Sequence, residues 1–177
     1  MKLVHSNICG PISPASSGNK KYFMTLIDDL SRKTWTYSKS EAFDCFKKFC
    51  AKTKTERRVK ALRTNRSGEF FSNEFTKFCE KRIRRQLTAA YTPQQNGVAE
   101  RKNRTTLNMV RCLLNKEEFS KEFWPKAVVW SVHILNRNPT FSVKDMTPQE
   151  AWSGRKPALD HFRIFRKILN CTSSMIL

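Results

Sequence analysis

Short apolar runs rich in β-formers, each bounded by turn-forming residues, occupy the first forty positions of the chain. They predict three strands, at Lys2–Ile8, Lys21–Asp28 and Lys33–Ser38. A Ser-, Pro- and Gly-rich segment that begins at Gly10 separates the first two, and a turn at Asp29–Arg32 separates the second and third. We therefore expect three neighbouring antiparallel strands to open the fold.

Helical spacing of the apolar residues replaces this pattern after residue 40. Residues on a single side, namely Phe43, Phe46, Phe49 and Cys50, predict a helix from about Glu41 to Lys54. The elements predicted after it are a strand, a short helix, a strand, a long helix and a second apolar helix: Val59–Thr64, Asn73–Lys81, Arg84–Ala89, a helix from Val98, and Lys121–Asn138. This order predicts an α/β fold with a mixed five-stranded sheet flanked by helices.

The helix from Val98 has two different sides. Its predicted buried stripe consists of Ala99, Asn103, Thr106, Val110 and Leu113. At about 100° per residue, Glu100, Arg104 and Arg111 share another side, which we expect to face solvent. A carboxylate in the first turn of a basic helix suits a site where a metal ion meets a nucleic-acid phosphate. An ordinary solvated face with a Glu–Arg pair one turn apart has the same residues, so this stretch alone leaves both interpretations open.

Charge points to a polyanionic partner. The 177 residues include 34 Lys and Arg against 15 Asp and Glu, a formal net charge of +19. Nucleic acid is the first candidate, because no long apolar run or dominant basic amphipathic stretch predicts a membrane. The six cysteines and three histidines lack zinc-finger spacing, and nothing near the N-terminus resembles a signal peptide. We expect reduced core thiols in an intracellular protein.

Six segments together resemble the integrase catalytic core of copia-type retrotransposons. They are HSNICGP, YFMTLIDDLSRKTW, LRTNRSGEF, IRRQLTAAYTPQQNGVAERKNRT, LNRNP and TPQEAWSGRKP, spread over about residues 5–165. The resemblance implies a ribonuclease-H-like core over residues 1–140, with a partly irregular C-terminal extension over residues 141–177. No zinc-binding segment precedes this core and no further domain follows it, so we expect a fragment containing the core alone.

The resemblance also implies three carboxylates that bind two divalent ions, Mg²⁺ or Mn²⁺, for in-line attack on a phosphodiester. Carried over by position, the three sites are Asn7, Asn65 and Glu100, and only Glu100 keeps its carboxylate. An amide oxygen is a neutral, weaker ligand for such ions. We therefore expect catalysis to be impaired and metal binding at Glu100 to be weak or lost.

Other acids offer little prospect of rescue. If residues near Phe23 pair with Asn7, then Asp28 lies about 17 Å away at the rise of a strand, and Asp29 lies beyond it. Glu69 follows Asn65 by four residues and is expected to cap or orient its loop.

Residues that could contact DNA surround the Glu100 position. They are Gln94, Gln95, Asn96, Arg101, Lys102, Arg104 and Arg111. The resemblance implies retrotransposon ends and target DNA as partners, a homodimer, and a nuclear location. A non-catalytic DNA-binding or assembly module reused by the host is the alternative. The motifs disfavour an unrelated basic RNA-binding protein.

Four tryptophans and one histidine are expected to serve packing. Trp35, Trp124 and Trp130 fall in predicted elements, whereas Trp152 falls in a tail expected to be exposed. His133 lies mid-helix among apolar residues, as a core or boundary histidine does.

Overall fold

A computed structural model describes residues 1–38, 42–53, 58–65, 68–70, 72–80, 82–88, 96–116 and 119–159. Five strands and five α-helices follow one another along these residues. In chain order they are β1 Val4–Cys9, β2 Phe23–Asp28, β3 Thr34–Ser38, α1 Ala42–Thr53, β4 Ala61–Thr64, α2 Asn73–Glu80, β5 Arg84–Leu87, α3 Gly97–Lys116, α4 Trp124–Leu135 and α5 Pro148–Ser153. In this part of the chain no helix is both long and apolar enough to cross a membrane.

The strands form one mixed sheet in the order β3-β2-β1-β4-β5. Strands β1, β2 and β3 pair antiparallel, while β4 runs parallel to β1 and β5 runs parallel to β4. The predicted mixed five-stranded α/β sheet is confirmed. The predicted pairing of Asn7 near Phe23 is wrong by two residues, because Asn7 lies opposite Thr25 and Phe23 lies opposite Cys9.

One side of the sheet, which we call the aromatic face, is covered by α1 and α2. Alternate strand residues point to it, among them Val4, Met24, Leu26 and Leu62. Phenylalanines at helical spacing on α1 and α2 pack against them, and Phe46 lies with its ring centroid 5.3 Å from that of Phe75. This side holds the larger apolar core.

The opposite side, which we call the polar face, carries His5, Asn7, Thr25 and Arg63, the strand residues of opposite parity. Helix α3 packs over β1 and β2, and α4 packs over β3. A smaller apolar cluster joins the helices to the end of the sheet: Phe23, Val110, Leu114, Trp124, Ala127 and Val128. The rest of this face is held by hydrogen bonds between polar side chains and the sheet.

The predicted ends of the second apolar helix are corrected. Residues Lys121–Phe123 form a 3-10 turn, and α4 begins at Trp124 with Pro125 in its first turn. It ends at Leu135, and the side chain of the next residue, Asn136, bonds Thr34, accepting from its backbone N–H (2.9 Å) and donating to its carbonyl (2.8 Å). The predicted ends at Lys54, Lys81 and Ala89, and the apolar residues after 159, lie outside the described residues.

The segment that contains Trp152 is packed, not exposed. Thr147 caps α5 by accepting a hydrogen bond from the Glu150 N–H (3.0 Å), and Gly154 ends the helix at φ +72°. Trp152 is 7% exposed, and its ring lies edge-on to Trp35 with centroids 5.0 Å apart. The expected packing role holds, and the exposed setting was wrong because α5 docks against β3.

Candidate functional site

Asn7 and Asn65 lie side by side at the centre of the sheet. Asn7 is on the middle strand β1 and points to the polar face, and Asn65 follows β4 directly, continuing the register that pairs Ser6 with Thr64. The Asn65 Nδ2 donates a hydrogen bond to the Asn7 Oδ1 at 3.1 Å. The structure therefore brings together two of the three positions that the resemblance assigned to metal-binding acids.

Helix α3 is fixed over Asn7 by two polar contacts. The Asn96 Nδ2 donates to the Ser6 carbonyl (3.1 Å), and the Thr25 hydroxyl donates to Asn103 Oδ1 (2.9 Å) with the Asn7 carbonyl 3.3 Å away. Both asparagines are buried, so these contacts set the height and rotation of the helix over β1.

Glu100 lies between these two contacts along α3. It comes four residues after Asn96 and three before Asn103, which places it about 60° around the helix from Asn103. Arg104 and Arg111 are exposed as expected, whereas Glu100 is half-buried. The expected solvent-facing position is corrected for Glu100, because it borders the stripe that packs on the sheet.

Two arginines lie near neighbours of Asn7 on β1. Arg63 pairs in register with His5, and its Nε and Nη2 both donate to Gln86 Oε1, at 3.1 and 2.8 Å. At the other end, burial raises the pKa of the Cys9 thiol, and the nearby charge of Arg111 opposes that rise. His5 and Cys9 each lie two residues from Asn7 on β1, while the Arg63 guanidinium is directed to Gln86 on β5 and the Arg111 Nη1 donates to Asn108 Oδ1 (3.0 Å) on α3.

Two neighbouring acids, Asp28 and Asp29, are engaged elsewhere, and the Glu69 side chain lies outside the described part of the structure. Asp28 is buried, and its Oδ2 accepts from the Ser31 N–H (2.9 Å) and hydroxyl (2.7 Å). Asp29 contacts His5 Nε2 (2.8 Å) and Arg32 (3.4 Å). With Thr25 opposite Asn7, Asp28 is three residues along the strand, about 10 Å, which corrects the expected 17 Å. Within the described residues no three His, Cys, Asp or Glu side chains group as a metal site.

The predicted nucleic-acid contacts divide into three groups. Gln94 and Gln95 lie outside the described residues. Asn96 is 1% exposed, so its amide serves the α3–β1 contact and has no surface for DNA, which corrects that prediction. Arg101, Arg104 and Arg111 are exposed and stay predictions.

Lys102 is placed differently from the other cations of α3. It is half-buried, and burial, followed by the charge of Arg32, lowers its pKa. It lies about 160° around the helix from Glu100, so it faces the β2–β3 turn instead of the Asn7 side. Arg63 is the cation that the sequence reasoning missed; its position two residues before Asn65 on a strand was the available signal.

Comparison with known proteins shows which proteins this chain is similar to. No protein-family model matches the chain. The Pol polyprotein of transposon TNT 1-94 from Nicotiana tabacum is 39% identical over 171 residues, which is 93% of this chain and 13% of the polyprotein. The Arabidopsis thaliana transposon RE1 polyprotein is 28% identical over 155 residues, 85% of this chain and 10% of the polyprotein. The chain thus spans about a tenth of the curated relatives it matches.

Solved structures agree on the fold. The HTLV-2 integrase catalytic core domain, in complex with magnesium in a trimeric form, superposes with a TM-score of 0.63 at 15% identity, over 85% of this chain and 95% of that one. The simian T-cell lymphotropic virus intasome, in complex with the PP2A regulatory subunit B56 gamma, gives 0.68 at 14% identity, over 92% and 58%. The chain is homologous to a part of the retrovirus-related Pol polyproteins of plant copia-type transposons, and its fold is that of retroviral integrase catalytic cores, which is ribonuclease-H-like.

Proposed function

We propose that this domain binds DNA as an integrase core does but does not catalyse polynucleotidyl transfer. The observation that carries the proposal is the hydrogen bond from Asn65 to Asn7. Two carboxylates at this separation repel each other unless a cation or a proton lies between them. Two amides satisfy each other directly, so this pair has no electrostatic need of a metal ion.

The donor set does not fit a pair of divalent ions. It offers two amide groups and the Glu100 carboxylate, a ligand charge of −1 where three acids would give −3. Mg²⁺ prefers anionic oxygen, and two such ions within about 4 Å of each other need that charge to offset their repulsion. The HTLV-2 core binds magnesium, which indicates a divalent metal in the family. In this chain we propose that Glu100 holds such an ion weakly or not at all.

Binding to DNA does not depend on the lost acids. The net charge is +19, and Arg101, Arg104 and Arg111 are exposed along α3. Phosphate contacts of this kind give affinity with little sequence preference and fall off with salt. We propose retrotransposon ends and target DNA as the partners, self-association as a homodimer, and a nuclear location that follows from a DNA partner.

A strand-transfer assay with Mg²⁺ or Mn²⁺ tests the loss of catalysis. We expect no products from the native chain, and expect products from Asn7→Asp/Asn65→Asp, because the double change restores three carboxylates around the Glu100 site. Products from the native chain would reject the proposal. If neither chain acts, salt-dependent DNA binding still decides whether the domain retains its binding function.

Reuse as a non-catalytic DNA-binding module is the second candidate. It is favoured by the packing that the chain retains, since Phe46, Phe49, Phe70 and Phe75 are fully buried. A chain under no selection would accumulate destabilising substitutions in the hydrophobic core as readily as substitutions in the metal-binding site. Cooperative unfolding together with salt-dependent DNA binding would support reuse, and a non-cooperative transition would reject it.

A further inference from the structure

An apolar cavity of about 480 Å³ lies at the outer margin of the aromatic face, and we call it the α1–α2 pocket. Cys50 on α1 and Phe78 on α2 line it, together with Val59 and Ile83, which lie within two residues of the starts of β4 and β5. The Phe78 ring is held edge-on against the buried Phe46, with centroids 6.2 Å apart. The core behind the cavity therefore fixes its wall, and its volume is in the range of protein ligand sites.

Two cations without partners border this pocket. Arg58 and Arg82 are both exposed at its rim, and within the described residues neither guanidinium makes a hydrogen bond or an ion pair. The third cation, Lys47, differs because its ammonium lies 2.7 Å from the Asp44 carboxylate. The walls add no charge, since burial raises the pKa of the Cys50 thiol to about 12 and keeps it neutral. This combination favours a ligand that has an apolar part with carboxylates beside it.

A nucleic-acid strand matches only part of this surface. Its phosphates can pair with the two guanidinium groups, but its sugar–phosphate backbone has no apolar group that would fill the cavity. The pocket also lies on the aromatic face, across the sheet from Asn7. It thus differs in both chemistry and position from the surface of α3 that we propose for DNA.

A second copy of this chain fits the pocket poorly as well. It carries the same net charge of +19, so the two copies repel each other. Phe141, which is 95% exposed, has a threonine and a serine as its neighbours in the chain and no acid beside it. The nearest acid along the chain, Asp145, is matched by the adjacent Lys144. The occupant that the pocket favours must bring a surplus of negative charge.

We propose that the α1–α2 pocket docks an acidic segment of a partner protein, which inserts one aromatic or aliphatic side chain and places carboxylates on Arg58 and Arg82. A side chain buried in such a pocket carries most of the binding energy of a small interface, and the charges at the rim select the partner. The inference goes beyond the proposed function and does not rest on it, because neither DNA nor the Asn7–Asn65 pair enters it.

A peptide selection tests the chemistry of the occupant. Short random peptides displayed on phage are selected on the native chain and, in parallel, on Ala51→Trp, where an indole at the exposed edge of the pocket blocks the cavity and leaves the charge unchanged. We expect the peptides enriched only on the native chain to have an aromatic or aliphatic residue flanked by Asp or Glu. Enrichment of peptides without that combination, or equal enrichment on both chains, would reject the proposal.

Fluorescence anisotropy then measures the affinity of the most enriched peptide. Arg58→Glu/Arg82→Glu and Ala51→Trp should each lose about tenfold or more, because one removes the guanidinium contacts and the other removes the cavity. The charge-matched control is Arg155→Glu/Lys156→Glu, two exposed cations after α5, which docks at the opposite edge of the sheet. It should lose about threefold or less. Circular dichroism and thermal unfolding establish that each variant is folded.

Each other outcome overturns the proposal in its own way. If the control loses as much affinity as the two pocket variants, general positive charge explains the binding. If short DNA displaces the peptide and the affinity of that DNA falls in Ala51→Trp, the pocket binds nucleic acid. If sedimentation shows that Ala51→Trp abolishes self-association of the native chain, a second copy occupies the pocket. None of these results bears on the proposed loss of catalysis, which strand transfer tests separately.

Discussion

The two faces of the sheet are held by different forces, and the difference explains why the proposed loss of catalysis is compatible with an intact fold. The aromatic face is packed with rings, and Phe46 alone stacks or meets edge-on with Phe49, Phe75 and Phe78. The polar face is joined to α3 through hydrogen bonds of neutral side chains, such as Thr25 with Asn103. Neither set of contacts uses a carboxylate at position 7 or 65.

Asparagine has nearly the shape of aspartate, so the proposed replacement of two acids by Asn7 and Asn65 leaves the packing of the polar face undisturbed. What differs is charge, and a cation-dependent function is the property most sensitive to it. We therefore expect fold stability and metal-dependent catalysis to be separable in this molecule. Four predictions test that separation, beginning with the aromatic face, where we expect the largest effect.

Phe46→Ala should destabilise the domain by about 3–5 kcal/mol, since it leaves a cavity in a fully buried cluster that cannot collapse around it. Guanidinium-induced unfolding followed by circular dichroism measures the change. Phe141→Ala is the matched control, because Phe141 is 95% exposed, and it should change the stability by less than about 0.5 kcal/mol. Similar losses from both variants would show that the aromatic face is not the main core.

Asn103→Ala should cost about 1–3 kcal/mol, because the buried Thr25 hydroxyl loses its shorter hydrogen bond (2.9 Å) and keeps only the Asn7 carbonyl at 3.3 Å. The double variant Asn103→Ala/Thr25→Val removes both partners and should cost less than the sum of the single changes. The double-mutant cycle, measured by denaturant unfolding, should give a coupling of about 0.5–3 kcal/mol. Strict additivity would mean that hydrogen bonding does not hold α3 to the sheet.

The aspartate pair Asn7→Asp/Asn65→Asp should lower stability by about 1–2 kcal/mol in EDTA, because two half-buried carboxylates then replace a hydrogen-bonded amide pair. Mg²⁺ should restore part of that loss by binding the folded state, and should leave the native melting temperature unchanged. Thermal scans with and without Mg²⁺ measure both effects. An equal rise in the melting temperature of the native chain on adding Mg²⁺ would contradict the proposal that this chain holds the ion weakly or not at all.

The sequence predicted the scaffold better than the site, for physical reasons. Periodicity and turn residues located all five strands and helices α1 to α4, because these signals are local. The positions of Asn7, Asn65 and Glu100 came from the resemblance, and no local pattern could have joined Asn7 to Asn65, which are 58 positions apart. The half-buried setting of Glu100 and the burial of Asn96 were missed, since both depend on how α3 rotates over the sheet.

Arg63 was missed for a related reason. Strand parity places its side chain on the face of Asn65, but its effect on the site depends on β4 pairing with β1, a contact between segments far apart in sequence. The prediction for Trp152 failed in the same way. A turn-rich segment is predicted to be exposed unless its packing partner, here Trp35, is known. Contacts between segments that are far apart in the chain cannot be deduced from the local pattern of a single sequence.

The smallest expected effect concerns His5, a titratable group two residues from Asn7 on the same face of β1. Burial lowers its pKa from the ordinary value of 6.5, the hydrogen bond and charge of Asp29 oppose that shift, and the charges of Arg63 and Arg32 add to it. The unfolded chain therefore binds a proton at a higher pH than the folded chain does. Its contribution to stability is present above pH 6.5 and is lost as the pH falls below that value.

Melting temperatures between about pH 5 and 6.5 measure this dependence, in a window above the ordinary range of Asp and Glu. His5→Gln should flatten the profile, because glutamine can still donate to Asp29 but does not titrate. Asp29→Asn should steepen it, because the group that holds the pKa of His5 up is removed. Opposite changes in the two variants would assign the pH dependence of stability to the His5–Asp29 pair. If the native chain and both variants give the same profile of melting temperature against pH, then the charge of His5 does not affect the stability of the polar face.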